Sequence, residues 1–199
     1  PILIELNGVD ITNLSIRKKT ESGIGHIPED RHKHGLVLDY NLGENMVLQT
    51  YYKEPFSTRG LLNKDDILAN AERLIQEFDV RSGQGAITPV RSMSGGNQQK
   101  AIIAREVDRS PSLLIASQPT RGLDVGAIEY IHSRFIEERD KGKSVLLISF
   151  ELDEILNVSD RVGVIYEGTI VDVDETANTN ENQLGLLMAG SAKGGAAHA

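Results

Sequence analysis

Ser92-Met93-Ser94-Gly95-Gly96-Asn97-Gln98-Gln99-Lys100 is the stretch on which the reading of this chain turns. The residues after it carry Ile102, Ile103 and Val107 at helical spacing and end near Arg109, so Ser94 stands where a helix begins. Serine is among the preferred helix caps. Two glycines behind the cap let backbone N–H groups approach an anion with no Cβ in the way, and a helix start favours negative charge. Read alone, Ser-Gly-Gly fits an ordinary cap after a flexible loop better than a phosphate grip. Its surroundings change that balance.

C-terminal to it stand three short apolar runs, Leu113–Ala116, Val145–Ser149 and Arg161–Tyr166, without strict alternation. Such runs suit strands buried on both faces of a parallel sheet. Between the first two, Ala127 to Lys141 repeats Ile128, Ile131 and Phe135 at helical spacing, and Gly142 supplies the stop. Glu151–Val158 places Leu152, Ile155 and Leu156 on one helix face before the third run. Strand, helix, strand, helix, strand is the alternation of an α/β layer fold. N-terminal to Ser94, Lys64 to Val80 carries Ile67, Leu68, Ala71, Leu74, Ile75 and Phe78 on one amphipathic stripe. That helical insert separates the α/β part from an early segment with a strand at Ile2–Leu6, an Asn7-Gly8 hairpin turn and a strand at Ile24–Ile27.

The 199 residues include 29 Asp and Glu against 21 Lys and Arg, a formal charge of −8, with no Cys or Trp. Disulfide frameworks and thiolate metal or redox sites are thereby excluded. The acidic balance argues against nucleic acid as a partner. No stretch approaches the roughly 18 apolar residues of a membrane span, and no signal region opens the chain. The expectation is a soluble, cytosolic chain whose start at Pro1 is a cut and whose Gly/Ala-rich tail, Ser191 to Ala199, is disordered.

Three features mislead. Gly142-Lys143-Ser144 matches the end of a phosphate-binding Gly-x-x-x-x-Gly-Lys-Ser/Thr loop, but Glu137 stands where the first Gly belongs, and the triplet joins helix to strand instead of strand to helix. His26, Glu29, Asp30, His32 and His34 form a ligand set zinc would accept, yet Arg31 and Lys33 interleave them, and no metal is assigned. Glu137-Glu138-Arg139-Asp140-Lys141 reads as a solvated helix face. Tyr40, Tyr51, Tyr52 and Phe56 are either a contact patch or the core of the helical insert.

Met93 to Asn97, with Gln98, Gln99, Lys100 and Arg105, resembles the signature motif of ATP-binding-cassette (ABC) ATPases. Other stretches agree in order: Gly25-His26-Ile27-Pro28-Glu29-Asp30-Arg31 resembles the Q-loop segment, and Leu113 to Thr120 the Walker B strand with its Pro-Thr. Arg121-Gly122-Leu123-Asp124 resembles the D-loop, and Leu146–Glu151 the strand entering the H-loop. The Pro-Glu-Asp-Arg run, Gly43-Glu44-Asn45 and Thr120 to Ala127 resemble the C-terminal cassette of importers that carry two cassettes in one polypeptide, for simple sugars or nucleosides. The Ala116-Ser117-Gln118-Pro119-Thr120 variant and Ile128 to His132 look more like the nucleoside branch.

The resemblance implies a P-loop NTPase-type, RecA-like α/β fold: a mostly parallel sheet with a helical subdomain inserted. It implies segments 1–35 (early strands and Q-loop), 36–109 (helical signature subdomain), 110–175 (Walker B, D-loop and H-loop) and 176–199 (extension and tail). The Walker A loop and its strand-helix should precede Ile2–Leu6, so these residues alone are expected to be inactive and to hold ATP weakly. ATP and Mg²⁺ are the implied cofactors, in the full-length pair. A partner cassette and transmembrane permease subunits are the implied partners, on the inner face of the cell membrane. Ser94, Gly95, Gly96 and Asn97 would contact the partner's ATP, Asp124 the cassette interface, and Glu29 the coupling loop.

Three positions of the catalytic motifs depart from the family. The Walker B acids are replaced by Ser117 and Gln118, and the H-loop His by Phe150. Serine is a weak group for a dication shell, glutamine cannot accept a proton from water near neutral pH, and phenylalanine offers no polar atom. The implied pair is asymmetric, with one competent and one degenerate site; the alternative is a non-catalytic structural or allosteric half without turnover. The missing first element should leave apolar sheet surface that self-association would cover.

Overall fold

Asn7 and Gly8, at φ 52° and 75°, turn the chain back between β1 (Glu5–Leu6) and β2 (Val9–Asp10), as an Asn-Gly pair favours. The structure is a computed structural model and describes residues 3–190. Ile2 of the expected first strand and the tail at 191–199 lie outside the described residues. The described chain divides after Ile148 into two compact units, a cut that falls inside the expected 110–175 segment.

The first unit continues with α1 (Ile16–Glu21), capped by Ser15, and β3 (Ile24–Ile27). A π-turn over Arg31–Gly35 follows, capped by Asp30, whose carboxylate accepts from the His32 and Lys33 amides. Next is α2 (Leu42–Met46), opened by a reciprocal capping box between Asn41 and Glu44. A small hairpin, β4 (Ser57–Thr58) with β5 (Leu61–Leu62), precedes α3 (Lys64–Glu77). On α3, Ile67, Ala71 and Leu74 are buried as the stripe requires, and each buried Ile or Leu contributes about 1.5–3 kcal/mol. Then come α4 (Gly95–Asp108), β6 (Leu113–Ser117), α5 (Val125–Asp140) and β7 (Ser144–Ile148). Gly142, at φ 79°, ends α5, so Gly142-Lys143-Ser144 lies between a helix and a strand.

β3, β6 and β7 form one parallel sheet in that order. Ile27, Leu114 and Ala116 are buried, as are Ile102, Ile103 and Val107 of α4. Sheet and helices are those of an α/β fold.

The second unit corrects the third apolar run. After α6 (Leu152–Val158), β8 (Arg161–Tyr166) pairs antiparallel with β9 (Thr169–Glu175), not in the parallel sheet. Glu167 and Gly168, at φ 47° and 78°, make a tight turn that sends the chain straight back, leaving no length for a crossover helix. With α7 (Glu181–Met188), the unit builds its own small core of Val164, Leu184 and Leu187, flanked by Leu152, Leu156 and Val162.

One more expectation needs correction. The 137–141 charge run is not wholly solvated, because Glu138 is buried and its carboxylate holds Lys141 Nζ at 2.7 Å. Among the described residues no helix is long and apolar enough to cross a membrane.

Candidate functional site

Ser94 caps α4 from an extended backbone (φ −65°, ψ 155°). Its Oγ accepts from the Asn97 backbone N–H at 3.4 Å and from Asn97 Nδ2 at 2.9 Å. Asn97 Oδ1 in turn accepts from the Arg81 backbone N–H at 2.8 Å, so this side chain fixes the loop entering the helix. The first intrahelical bond runs from Gln98 N–H to the Ser94 carbonyl, 2.9 Å. The Gly95 and Gly96 N–H groups precede it, at the end where orphan donors and the dipole suit an anion.

Both glycines have close neighbours. A Cβ on Gly95 would stand 2.9 Å from Arg31 Nη2, and one on Gly96 would stand 3.1 Å from Ala127 Cβ and 3.6 Å from Asp124 Oδ2. The starts of α4 and α5 therefore lie side by side. Asp124 caps α5 by accepting the Ala127 N–H at 2.9 Å, a local role that the sequence reading did not assign to it. Glu29, half-exposed, pairs with Arg121 at 2.7 Å, an exposed ion pair of the kind that contributes about 0.2–1 kcal/mol. Beside the cap, a cavity of about 530 Å³ is lined by Arg81, Ser82, Gln84, Thr88, Ser92 and Asn97 among others.

The other side of α4 is tied down as well. Lys100 Nζ bonds the Asp79 carbonyl at 3.0 Å and its carboxylate at 2.7 Å, and lies 4.2 Å from the centroid of the Tyr130 ring. The hydrogen bond from Lys100 holds the Asp79 carboxyl below the usual carboxylate range. Asp30 is lowered too, chiefly by the Lys33 backbone N–H.

Gln118 follows β6 at the C-terminal end of the parallel sheet, the edge where open α/β sheets bind ligands. Its backbone is left-handed at φ 47° and its N–H donates to the Ile148 carbonyl at 2.8 Å. The side chain is 7% exposed, and Nε2 is buried without a hydrogen-bond partner. Ser117 and Gln118 together offer no charged oxygen, so they are a weak ligand pair for a divalent cation. The Gly95 and Gly96 N–H groups at a helix start are, by contrast, donors of the kind that suit an anion. Phe150 belongs to the second unit, 73% exposed just ahead of α6. Among the described residues no group of three His, Asp or Glu side chains is placed to hold a metal ion. His32 Nε2 instead meets Gln98 Oε1 at 2.8 Å. Tyr40 and Tyr51 are 49% and 41% exposed, which rules out a core role for that pair.

Two further residues hold the structure from inside. Asn45, 1% exposed, accepts from the Val37 N–H and donates to the Val37 and Asn41 carbonyls. Glu106, fully buried, holds Arg105 and Arg109 at 2.9 Å each. The Asn41-to-Glu44 capping-box spacing signals the helix start beside Asn45, and the three-residue spacing of Glu106 and Arg109 signals a helical ion pair but not its burial.

The parallel sheet with its inserted helical part is the fold of solved ATP-binding cassettes, and with its similarity over 94% of its length to import ATP-binding proteins the chain belongs to the ATP-binding-cassette family. No protein-family model matches it. Among solved structures it is similar to a nucleotide-free ATP-binding cassette from an ABC transporter (TM-score 0.71, 18% identity, 94% of this chain and 73% of that one). It is also similar to a dimeric cassette in a post-hydrolysis state bound to ADP and Pi (0.69, 20%, 86% and 72%). At such identities the likeness is one of fold. In sequence it is 62% identical over 188 residues to the guanosine import ATP-binding protein NupO of Bacillus subtilis, covering 94% of this chain and 37% of that protein. It is 59% identical over 187 residues to the nucleoside import ATP-binding protein NupA of Lactococcus lactis subsp. cremoris, with 94% and 37% covered. To the ribose import ATP-binding protein RbsA of Streptococcus agalactiae serotype Ia it is 36% identical over 167 residues, with 84% and 33% covered. The chain thus spans about a third of the length of these relatives.

Proposed function

We propose that this chain forms part of the C-terminal cassette of an ATP-hydrolysing subunit that energises nucleoside import. The subunit works on the cytoplasmic face of the membrane with permease subunits. The nucleoside branch rests on the higher identity to the guanosine and nucleoside import proteins than to the ribose import protein. The observation that carries the mechanism is the Ser94-capped start of α4, where two glycines in close quarters with Arg31 and Ala127 open the helix. Ser94, Gly95 and Gly96 close over the nucleotide held by the partner cassette, their N–H groups stabilising γ-phosphate charge; Asn97 holds the loop and Asp124 sits at the cassette interface. Region 36–109 acts as the signature subdomain and Glu29 belongs to the coupling loop.

The chain's own Walker side turns over slowly or not at all, because Ser117 and Gln118 supply neither a carboxylate for the Mg²⁺ shell nor a base and Phe150 no polar contact. Bound nucleotide would bring Mg²⁺ and the scissile phosphate; the residues here bind, orient and exclude water. The same uncharged pair also supports a second reading, a half that binds nucleotide and signals without turnover. The test uses the full subunit with its permease. Ser94→Phe is expected to cut ATPase by roughly 10²–10³-fold, the scale of losing a preorganised donor, whereas Gln118→Ala changes it less than about twofold. Equal losses from both would sink the asymmetric pair, and no ATPase in the unmodified subunit would favour the second reading.

A further inference from the structure

The π-turn at Arg31–Gly35 lies along one face of α4 and touches it at four points. Arg31 Nη2 packs where a Gly95 Cβ would be, at 2.9 Å. His32 Nε2 meets Gln98 Oε1 at 2.8 Å, and because Gln98 Nε2 donates to the Val90 carbonyl at 2.9 Å, the imidazole is the donor. A Cβ on Gly35 would stand 2.6 Å from Ile102 Cδ1, and the Gly35 carbonyl accepts from the buried Arg105 Nη1 at 2.9 Å. Positions 95, 98, 102 and 105 recur at the spacing of a single helix face, over about 15 Å of rise. At its other end the segment reaches the 121–124 loop, through the Glu29–Arg121 ion pair and Arg31 Nη1 donating to the Arg121 carbonyl at 3.3 Å.

Arg31 is the unusual member. Its Nε is buried and makes no hydrogen bond, a cost of order 1–3 kcal/mol that a surface-pointing rotamer would avoid. We propose that Arg31 is a positioning residue of the signature loop. Wedged between Gly95 and the Arg121 carbonyl, its planar guanidinium fixes the two free-running glycine amides relative to the 121–124 loop, and the His32–Gln98 bond holds the turn in register. The loop at Glu29 and the start of α4 then move as one piece. Without the wedge the glycines, which lose more conformational freedom on ordering than any other residue, must be ordered by the nucleotide itself.

This inference rests on the proposed role of Ser94, Gly95 and Gly96, and two readouts on the full-length subunit with its permease separate the two. In ATPase titrations, Arg31→Ala is expected to raise KM for ATP about tenfold with kcat changed less than about twofold, since binding and not chemistry bears the ordering cost. Arg31→Lys should fail to rescue, because a point charge cannot span both contacts. His32→Ala should raise KM about threefold and His32→Gln, which keeps a donor, should restore it. In hydrogen exchange, Arg31→Ala should speed the amides at 95–97 about tenfold while those of β6 keep their protection. If Ser94→Phe abolishes ATPase but Arg31→Ala alters neither KM nor exchange at 95–97, the positioning role is wrong. If Ser94→Phe leaves ATPase intact, the role of the signature loop falls, and faster exchange at 95–97 would still support the wedge. A drop in kcat and in β6 protection together would mark Arg31 as merely structural and overturn the proposal.

Discussion

Gln118 combines two costs that proteins seldom combine without cause: a left-handed backbone on a residue with a Cβ, and a buried amide nitrogen with no acceptor. The side chain is held by its surroundings and does not satisfy itself. Restoring the acid that family cassettes carry there would therefore add a buried, unpaired carboxylate, whose pKa burial would push up. A carboxyl raised in the folded state carries no penalty below its unfolded pKa near 4.3 and an increasing one as pH rises toward its folded value. Gln118→Glu is thus expected to cost on the order of 1–3 kcal/mol at pH 7.5 and much less at pH 4.5, read from urea midpoints relative to the parent at each pH. Equal costs at the two pH values would show that the new carboxylate finds water or a cation.

At the scale of elements, α4 organises the first unit. Its start presents the signature loop, one face carries the π-turn, and its last turns hold the Arg105–Glu106–Arg109 cluster, buried with Arg105 4% exposed. Removing one partner from a buried ionic group strands the others in low dielectric. Glu106→Gln is expected to destabilise by about 3 kcal/mol in urea unfolding; below about 1 kcal/mol, the Gly35 and Asn45 carbonyls that Arg105 also reaches would suffice to satisfy it. Asn45 plays the matching role for the loop entering α2. Asn45→Ala, which orphans the Val37 N–H and two carbonyls, should cost about 2–3 kcal/mol by the same measurement.

At the scale of the whole molecule, the parallel sheet of the first unit keeps apolar side chains of one face partly exposed among the described residues. Leu146 and Ile148 of β7 are 49% and 47% exposed, beside half-buried Ile115 and Leu113. Parallel strands are ordinarily covered on both faces, so this 199-residue chain is expected to self-associate in sedimentation, and Leu146→Lys with Ile148→Lys to shift it toward monomer. A monomeric parent would overturn this. What the sequence determined by itself was local: the Ser94 cap, the α3 stripe, the Asn7-Gly8 hairpin, the order of motifs and the uncharged pair at 117–118. Those signals live in residues two to four apart, where sterics and periodicity leave a readable trace. The antiparallel pairing of β8 with β9 is not legible in the sequence, because an apolar run of strand length does not state which strand it will pair with. Only the tertiary structure decided that Arg31 would lie on Gly95 and reach Arg121, 90 positions away, that His32 would bond Gln98 across 66, and that Arg105 would reach the Gly35 carbonyl across 70. Contacts of that separation are set by how helices and sheet pack, and packing leaves no period in the chain to read.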